Sequence, residues 1–206
     1  MMQADAPVPP RPRGRPRNFD RAQALDLALQ LFWHQGYEGT SIADLTAAIG
    51  IPPASLYAAF HSKEALYREV LALYAEREGA STRRALDEAP SAYLSMRCVL
   101  VEAAQRFVSA TPGCLITTAV LGCAPENRGA AAAATTMRNA VLVLFQQRFD
   151  RAVHTGELPP DTETAALARC YGAVLQGMSI QACDGASVAE LTALADAALT
   201  LFPGRR

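Results

Sequence analysis

Residues 40–63 constrain the fold of this chain more than any other stretch, because they carry the start and stop signals of two short, adjacent helices. Thr40 and Ser41 are both residues that favour the N-cap of a helix. Gly50 is typical of a helix end, because glycine adopts the left-handed conformation without steric cost. Between these signals, apolar residues recur at the spacing of one helical face: Ile42, Leu45 and Ile49.

The residues after Gly50 predict a second helix across a tight turn. Pro52 and Pro53 cannot continue the first helix, but proline suits the first turn of a new one. Leu56 and Phe60, four residues apart, would then form its buried side. Two short helices joined by a turn that contains glycine form a helix-turn-helix, and the second has about the right size for the DNA major groove. Most such pairs are plain packing units, so the flanking sequence has to decide between the two interpretations.

The composition predicts that the rest of the chain is helical. Half of the 206 residues are hydrophobic, which is enough to bury a substantial core. Alanine and leucine are abundant, β-branched residues are sparse, and no strand pattern is evident. No apolar run reaches the roughly 18 residues needed to span a bilayer, and the first 20 residues lack the apolar core of a secretory signal. We therefore expect an all-α, cytoplasmic protein of about nine helices, without a membrane partner.

The charge pattern singles out the N-terminus. The net charge of −1, from 19 basic and 20 acidic residues, gives no support for nucleic-acid binding by itself. Within residues 1–18, which we expect to be disordered, four arginines follow one another with no acid between them: Arg11, Arg13, Arg15 and Arg17. The sequence at 13–16 resembles an AT-hook, an extended arm that lies in the minor groove of A·T-rich DNA. A solvated basic tail is the alternative, but we favour a minor-groove arm that uses Arg13 and Arg15.

Cysteine and histidine usage gives no sign of a metal site or a catalytic centre. The five cysteines are an odd number without C-x-x-C spacing, so we expect free thiols. None of the three histidines has a partner at metal-ligand spacing. No histidine-based triad, glycine-rich phosphate loop or pair of carboxylates indicates an enzyme, and no cofactor is expected.

An ordered series of motifs extends from the first helix to the start of the fourth. It comprises Leu-Phe-Trp-His-Gln-Gly-Tyr-Glu-Gly-Thr-Ser at 31–41, Ile42, Leu45, Ile49-Gly50-Ile51, Ser-Leu-Tyr-Ala-Ala-Phe at 55–60 and Ser-Lys-Glu-Ala-Leu at 62–66. Over about residues 19–67 this series resembles the DNA-binding domain of the TetR/AcrR family of transcriptional regulators. The resemblance implies an all-α homodimer, in which residues 19–65 form a helix-turn-helix domain and residues 66–206 bind an effector and dimerise.

By matching position, the resemblance also implies the DNA contacts. Tyr57 and Lys63 would contact phosphates, together with hydroxyl or backbone N–H groups of Thr40 and Ser41. Base reading would fall to four residues of the second helix: Pro53, Ala54, Ser55 and Ala58. Many family members carry lysine and then glycine at the first two of these places, and this helix has no Arg, Asn or Gln for a bidentate base contact. We therefore assign part of the specificity to the arginine arm and to DNA shape.

The C-terminal two-thirds predicts helices around an effector pocket. The candidate lining residues are Met96, Phe107, Cys114, Met137, Phe145 and Tyr171. Such a lining would suit a small hydrophobic or aromatic effector, with few charges to recognise an anion. Cys114 follows Pro112-Gly113 near a predicted helix start, where the dipole favours a thiolate, and some members of the family sense electrophiles or oxidants with a cysteine. A small buried hydrophobe is the plainer interpretation of Cys114, and we prefer it.

The last two helices carry apolar residues around more than one face. This pattern predicts a subunit interface, with four helices across a twofold axis. The candidate interface residues are Leu167, Val174, Leu175, Met178, Leu191 and Ala198.

Together these features predict a homodimeric transcriptional regulator, a repressor rather than an activator. We expect it to bind a pseudo-palindromic, double-stranded DNA operator and to be released by a small hydrophobic effector. Two alternatives stay open: a thiol-based repressor that senses electrophiles or redox changes through Cys114, and an architectural DNA binder without an effector. An architectural protein would not need so large a C-terminal region.

Overall fold

The computed structural model describes residues 20–118 and 123–203, and over these residues the chain is all-helical, as the sequence predicted. This described part contains nine α-helices and no strand. In chain order the helices are α1 (Arg21–Gly39), α2 (Ile42–Ile49), α3 (Pro53–Phe60), α4 (Lys63–Glu88), α5 (Ala92–Phe107), α6 (Leu115–Thr118), α7 (Arg128–His154), α8 (Thr164–Cys183) and α9 (Val188–Leu199). A 3-10 turn at Pro125–Asn127 precedes α7. The basic arm, with Arg13 and Arg15, lies outside the described residues.

Helix α1 begins at a side-chain cap and ends in an aromatic turn. The Asp20 carboxylate accepts hydrogen bonds from two backbone N–H groups of the first turn, at 2.9 and 3.2 Å. Gly36 has a φ of 73°, which breaks the regular helix before its last turn. Beyond this kink the buried Tyr37 ring packs against Phe32, with 5.9 Å between the ring centroids.

Within residues 20–118 and 123–203, buried side chains form two clusters, and the first one contains the helix-turn-helix. It joins α1, α2 and α3 to the first half of α4, to α6 and to the start of α7. Phe32 and Tyr37 of α1 each meet Tyr67 of α4, at centroid distances of 5.1 and 4.9 Å. Leu45 of α2 and Leu56 of α3 complete this core. The core therefore extends past residue 65, and the domain boundary placed there stays a prediction.

The second cluster fills the C-terminal part, between the end of α4, α5, α7, α8 and α9. The side chain of Arg148 is 3% exposed, and it donates to Ser95 Oγ and to Glu157 Oε2, both at 3.0 Å. Glu157 also accepts from the backbone N–H of Ala92 at 2.6 Å. Burial opposes ionisation of Glu157, but these donors outweigh burial and hold the pKa of Glu157 below its usual range. The buried guanidinium thus ties the start of α5 to the end of α7.

Candidate nucleic-acid interface and ligand cavity

Helices α2 and α3 form the helix-turn-helix, and the angle between them is 95°. Gly50 ends α2 in the left-handed conformation, with φ 77° and ψ 32°, as the sequence predicted. Pro53 begins α3, and Leu56 and Phe60 on its inner side are each 1% exposed. No single described helix is long and apolar enough to cross a membrane; α2 and α3 meet the length and composition limits only as a bent pair.

The outer surface of α3 carries most of the residues predicted to contact DNA. All five are exposed: Pro53, Ala54, Ser55, Tyr57 and Ala58. Tyr57 is the largest of them and is 45% exposed. A serine hydroxyl and apolar groups distinguish bases less sharply than a bidentate arginine or asparagine. The surface is therefore available to DNA, and the individual contacts stay predictions.

The N-terminus of α2 is closed by its own side chains. Thr40 is fully buried, and its hydroxyl donates to the Gly36 carbonyl at 2.7 Å. This hydroxyl does not face a phosphate, which corrects one of the two contact modes predicted for Thr40. Ser41 is exposed, but its hydroxyl and its N–H both donate to the Asp44 carboxylate, at 2.6 and 2.8 Å. A phosphate would have to displace a like charge to reach Ser41, because Asp44 completes the capping box.

The junction between α3 and α4 positions Lys63. His61 ends α3, and its N–H donates to the Tyr57 carbonyl at 2.8 Å. Its φ is 65°, and among the described residues it is the one non-glycine residue with a positive φ. Two residues on, Lys63 Nζ lies 4.1 Å from the centre of the Tyr37 ring. Burial lowers the pKa of the Lys63 amine, and the Glu38 carboxylate opposes that shift. Helix α1 thus holds this cation beside α3, and its phosphate contact stays a prediction.

A carboxylate of α1 joins the DNA-binding helices to the segment before α7. Glu38 accepts from the backbone N–H of Ala124 at 2.9 Å and from Nδ2 of Asn127 at 2.8 and 2.9 Å. The Asn127 amide, and then the Ala124 N–H, hold the pKa of Glu38 below its usual range. In the first turn of α7, a Cβ at Gly129 would fall 2.3 Å from a carboxylate oxygen of Glu64. These contacts join residues far apart in sequence, and the sequence analysis did not predict them.

A cavity of about 150 Å³ lies between α4, α5, α6, α7 and α8. Three of the six predicted effector residues line it: Phe107, Cys114 and Met137. The other three are at most 1% exposed and belong to the second core cluster, which corrects their assignment: Met96, Phe145 and Tyr171. Their helical phase turns them towards other parts of the core, and the Tyr171 ring packs against Phe149 and Phe202.

Charged side chains also line the cavity, contrary to the expectation of few charges. They are Glu78, Arg83, Arg106 and Arg138. Arg106 donates from Nη1 to Ser81 Oγ at 2.8 Å, and its Nε lies 3.6 Å from Glu78 Oε2. Arg138 donates from Nη1 to the carbonyl of Ile116 in α6, at 2.8 Å. Sequence reasoning missed these arginines because the long apolar stem of arginine can pack inside while periodicity assigns the residue to a solvated face.

Cys114 lies partly buried in the cavity wall, just before α6. Its N–H donates to Ser179 Oγ at 2.8 Å, and Tyr74 lines the same wall. Burial, and then the neighbouring Cys114, raise the pKa of Tyr74 far above its usual value. Gly113 has a φ of 82°, and a Cβ there would lie 2.6 Å from Cys183 Sγ. Glycine is therefore required at position 113, and its backbone conformation positions Cys114 in the cavity wall.

The residues predicted to form a subunit interface fall into three groups. Met178 and Leu191 are fully buried in the second core cluster, so neither faces a partner, and both assignments are corrected. Leu175 lines the cavity. The remaining candidates are partly exposed: Leu167, Val174 and Ala198. Ile180 on α8 and Val188 on α9 add apolar surface, at 42% and 37% exposed.

Comparisons with known proteins match this arrangement. A sequence model described as "Bacterial regulatory proteins, tetR family" matches residues 24–70, which span the helix-turn-helix and its flanks. The chain is 38% identical over 195 residues to the HTH-type transcriptional repressor ComR of Escherichia coli K12, covering 93% of this chain and 92% of ComR. It is 31% identical over 190 residues to the repressor BdcR of the same organism, covering 88% of each chain.

A solved structure agrees with the fold over nearly the whole chain. The TetR family transcriptional regulator CifR, as a cysteine mutant complexed with 26bp double-strand operator DNA, matches with a TM-score of 0.88 and 43% identity. The match covers 92% of this chain and 100% of that one. The fold and the exposed surface of α3 define a DNA-binding transcriptional regulator of the helix-turn-helix class. The chain belongs to the TetR family of bacterial regulatory proteins.

Proposed function

We propose that the chain is a homodimeric repressor, which binds a pseudo-palindromic operator and releases it when a small effector occupies the cavity. The observation that carries this proposal is the position of α6. Ile116 and Thr117 of α6 line the cavity, and α6 also packs against α1. The relatives ComR and BdcR are repressors by name, and CifR is described in complex with operator DNA, which supports the DNA-binding half of the proposal. The cavity argues against a purely architectural DNA binder.

The dimer is inferred from the size of the DNA-reading element. Helix α3 has eight residues, so one copy reads only part of one groove. A twofold dimer would present two copies of α3 about one helical turn of DNA apart, ~34 Å, to the two halves of a pseudo-palindrome. The partly exposed apolar residues of α8 and α9 are the surface that we assign to the partner subunit.

Release requires a ligand that fits better when the two copies of α3 have the wrong spacing, because only differential affinity shifts such an equilibrium. Two contacts described above would carry the shift. Arg138 of the cavity wall holds the Ile116 carbonyl of α6, and Glu38 of α1 holds Ala124 and Asn127 before α7. A ligand that displaces α6 or the start of α7 would therefore also displace α1 and the helix-turn-helix.

The proposal is tested by titrating the promoter DNA upstream of the chain's own gene and following fluorescence anisotropy. Ala58→Glu places a negative charge on the exposed surface of α3, so we expect operator affinity to fall by at least about 10-fold. Ala80→Glu is the matched control, because it adds the same charge at an exposed position of α4 about 25 Å along the helix from its start. Equal binding of the two variants, or a strictly monomeric protein in sedimentation at DNA-binding concentrations, would contradict the proposal.

A second candidate function is a repressor that senses electrophiles or oxidants through Cys114. The observation that favours it is the position of the partly buried Cys114 thiol in the cavity wall, where Tyr74 and Arg106 also lie. A ligand that enters the cavity would reach this thiol, and the thiolate is the nucleophilic form of cysteine.

For this candidate, Cys114→Ser should abolish the release of operator DNA by a small α,β-unsaturated aldehyde, because a serine hydroxyl is a far weaker nucleophile than a thiolate. Mass spectrometry of the treated wild-type protein should place the adduct on Cys114. Cys98→Ser removes an exposed thiol of α5 and should leave release unchanged. Release that persists in the Cys114 variant would eliminate this candidate and leave reversible effector binding.

A further inference from the structure

We propose that the cavity binds a small aromatic carboxylate, and that Arg106 recognises its carboxylate group. The inference rests on the proposed function, because it names the chemical class of the ligand that the cavity accepts. It also replaces the sequence-based expectation of a ligand recognised without charge.

The size of the cavity limits the ligand to about one ring. Ligands of drug size occupy pockets of roughly 300–1,000 Å³. An engineered apolar cavity of about 150 Å³ binds benzene, and the cavity here has about the same volume, near 150 Å³. Its wall includes two aromatic side chains, Tyr74 and Phe107, together with the aliphatic Val141 and Leu144. Rings pack well against such surfaces in offset or edge-to-face contacts.

The charges of the wall favour an anion over a cation. Among the described residues that line the cavity, three carry a guanidinium and one carries a carboxylate: Arg83, Arg106, Arg138 and Glu78. In a wall that is otherwise largely apolar, these charges are less screened than on an open surface. An amine ligand would face an excess of positive charge, whereas a carboxylate would complement it. Arginine is also the side chain whose planar fork fits a carboxylate best.

Of the three arginines, Arg106 has the donor that a ligand would satisfy. Its Nε is shielded from solvent and has no hydrogen-bond partner among the described residues. The nearest carboxylate oxygen, Glu78 Oε2, is 3.6 Å away, which is beyond hydrogen-bond distance. A buried donor without a partner destabilises the protein, so a rotation of the Arg106 side chain that brings Nε to an acceptor in the cavity would be favourable.

Of the other two arginines, Arg138 already donates hydrogen bonds to protein acceptors and Arg83 is exposed to solvent. Arg138 donates to the Ile116 carbonyl at 2.8 Å and to Thr135 Oγ1 at 2.9 Å, so it holds α6 to α7. Arg83 is exposed and donates to two backbone carbonyls of α4, both at 3.4 Å. Arg106 donates from Nη1 to Ser81 Oγ, while its Nε lacks a hydrogen-bond partner among the described residues, so we assign the ligand carboxylate to Arg106.

The experiment is isothermal titration calorimetry of the full chain, without DNA, against three probes of equal size. Benzoate carries the carboxylate, benzamide is its neutral counterpart, and benzylamine reverses the charge. We expect benzoate to bind at least about 10-fold more tightly than benzamide, the range of a hydrogen bond to a charged group, and benzylamine to bind most weakly. This comparison uses only the wild-type protein, so it does not depend on how any variant folds.

Two variants then assign the site. Arg106→Met should reduce benzoate affinity to that of benzamide and leave benzamide binding unchanged, which also shows that the cavity is intact. Arg97→Met is the matched control, because it removes an exposed arginine of the same helix, α5, and should bind benzoate as the wild-type protein does. Benzamide binding as tightly as benzoate, benzoate binding that survives in Arg106→Met, or failure of all three probes to bind would each overturn the inference.

The same protein separates this inference from the proposed function. Benzoate that binds through Arg106 but does not release operator DNA supports the carboxylate site and contradicts release through this cavity. Absence of operator binding in the anisotropy titration contradicts the proposed function, whatever the calorimetry shows.

Discussion

Replacing Phe32 with alanine should lower the free energy of unfolding by about 3–5 kcal/mol. The Phe32 side chain is fully buried, and its ring meets Tyr37 and Tyr67 at centroid distances of 5.9 and 5.1 Å. Its neighbours come from the kinked end of α1 and from α4, so they cannot all move inwards to fill the space that the ring leaves. A natural domain has a total stability of only about 5–15 kcal/mol, so we expect operator binding to be lost near physiological temperature.

The measurement is urea unfolding followed by tryptophan fluorescence. Trp33 is the single tryptophan of the chain, and it packs against the first core cluster, with its ring 5.0 Å from that of Tyr74. Its emission therefore reports on the part of the molecule that Phe32 stabilises. Gln30→Ala, at an exposed position of the same helix, should change the stability by less than about 0.5 kcal/mol. A Phe32 variant within about 1 kcal/mol of wild type would show that the ring cluster is not the centre of this core.

Deleting residues 1–17 should weaken operator binding by a factor on the order of 100 at physiological salt. The exposed surface of α3 offers DNA a serine, a tyrosine and apolar groups, and the N-terminus of α2 is closed by Asp44. The arginine arm would therefore supply a large share of the phosphate and minor-groove contacts. The slope of log affinity against log salt should become shallower by about 0.9 for each phosphate contact that is lost.

A variant of unchanged length tests the same prediction without shortening the chain. The test variant replaces Arg13 and Arg15 with glutamine. The control variant replaces the exposed Arg84 and Arg97 with glutamine. Only the first pair should lower the affinity and the salt slope. An affinity and a slope that stay at the wild-type values after the deletion would refute the minor-groove arm and favour a solvated tail.

Sequence reasoning succeeded where the signals are local. Gly50 and the proline pair after it defined the turn between α2 and α3, because each of these residues restricts the backbone whatever surrounds it. The buried sides of the short helices, such as Leu45 and Leu56, were equally clear, since only one face of each helix is apolar. The fold class and the family follow from these features.

Sequence reasoning failed where the answer depends on how helices pack against one another. Periodicity identifies an apolar face, but it does not say whether that face meets a cavity, another helix or a second subunit. Met96, Tyr171 and Phe107 all lie on apolar helix faces and were therefore all predicted to line the cavity. Of these three, only Phe107 does. Arg106 had no signal at all, because its role depends on the distance between α4 and α5. The bond between Glu38 and Asn127 spans 89 positions, which no local pattern can indicate.

The Glu38 carboxylate also limits how this protein can be recombined with its relatives. A chimera cut at the end of α4 would keep Glu38 but take the segment around Asn127 from the donor. Any residue except proline would supply the backbone N–H of position 124, but the side-chain amide at 127 would have to be present in the incoming sequence. An exchange of the C-terminal part should therefore preserve Asn127. Without it, the hydrogen bonds to Glu38 are lost, and a ligand bound in the new C-terminal part would act less strongly on the DNA-binding helices.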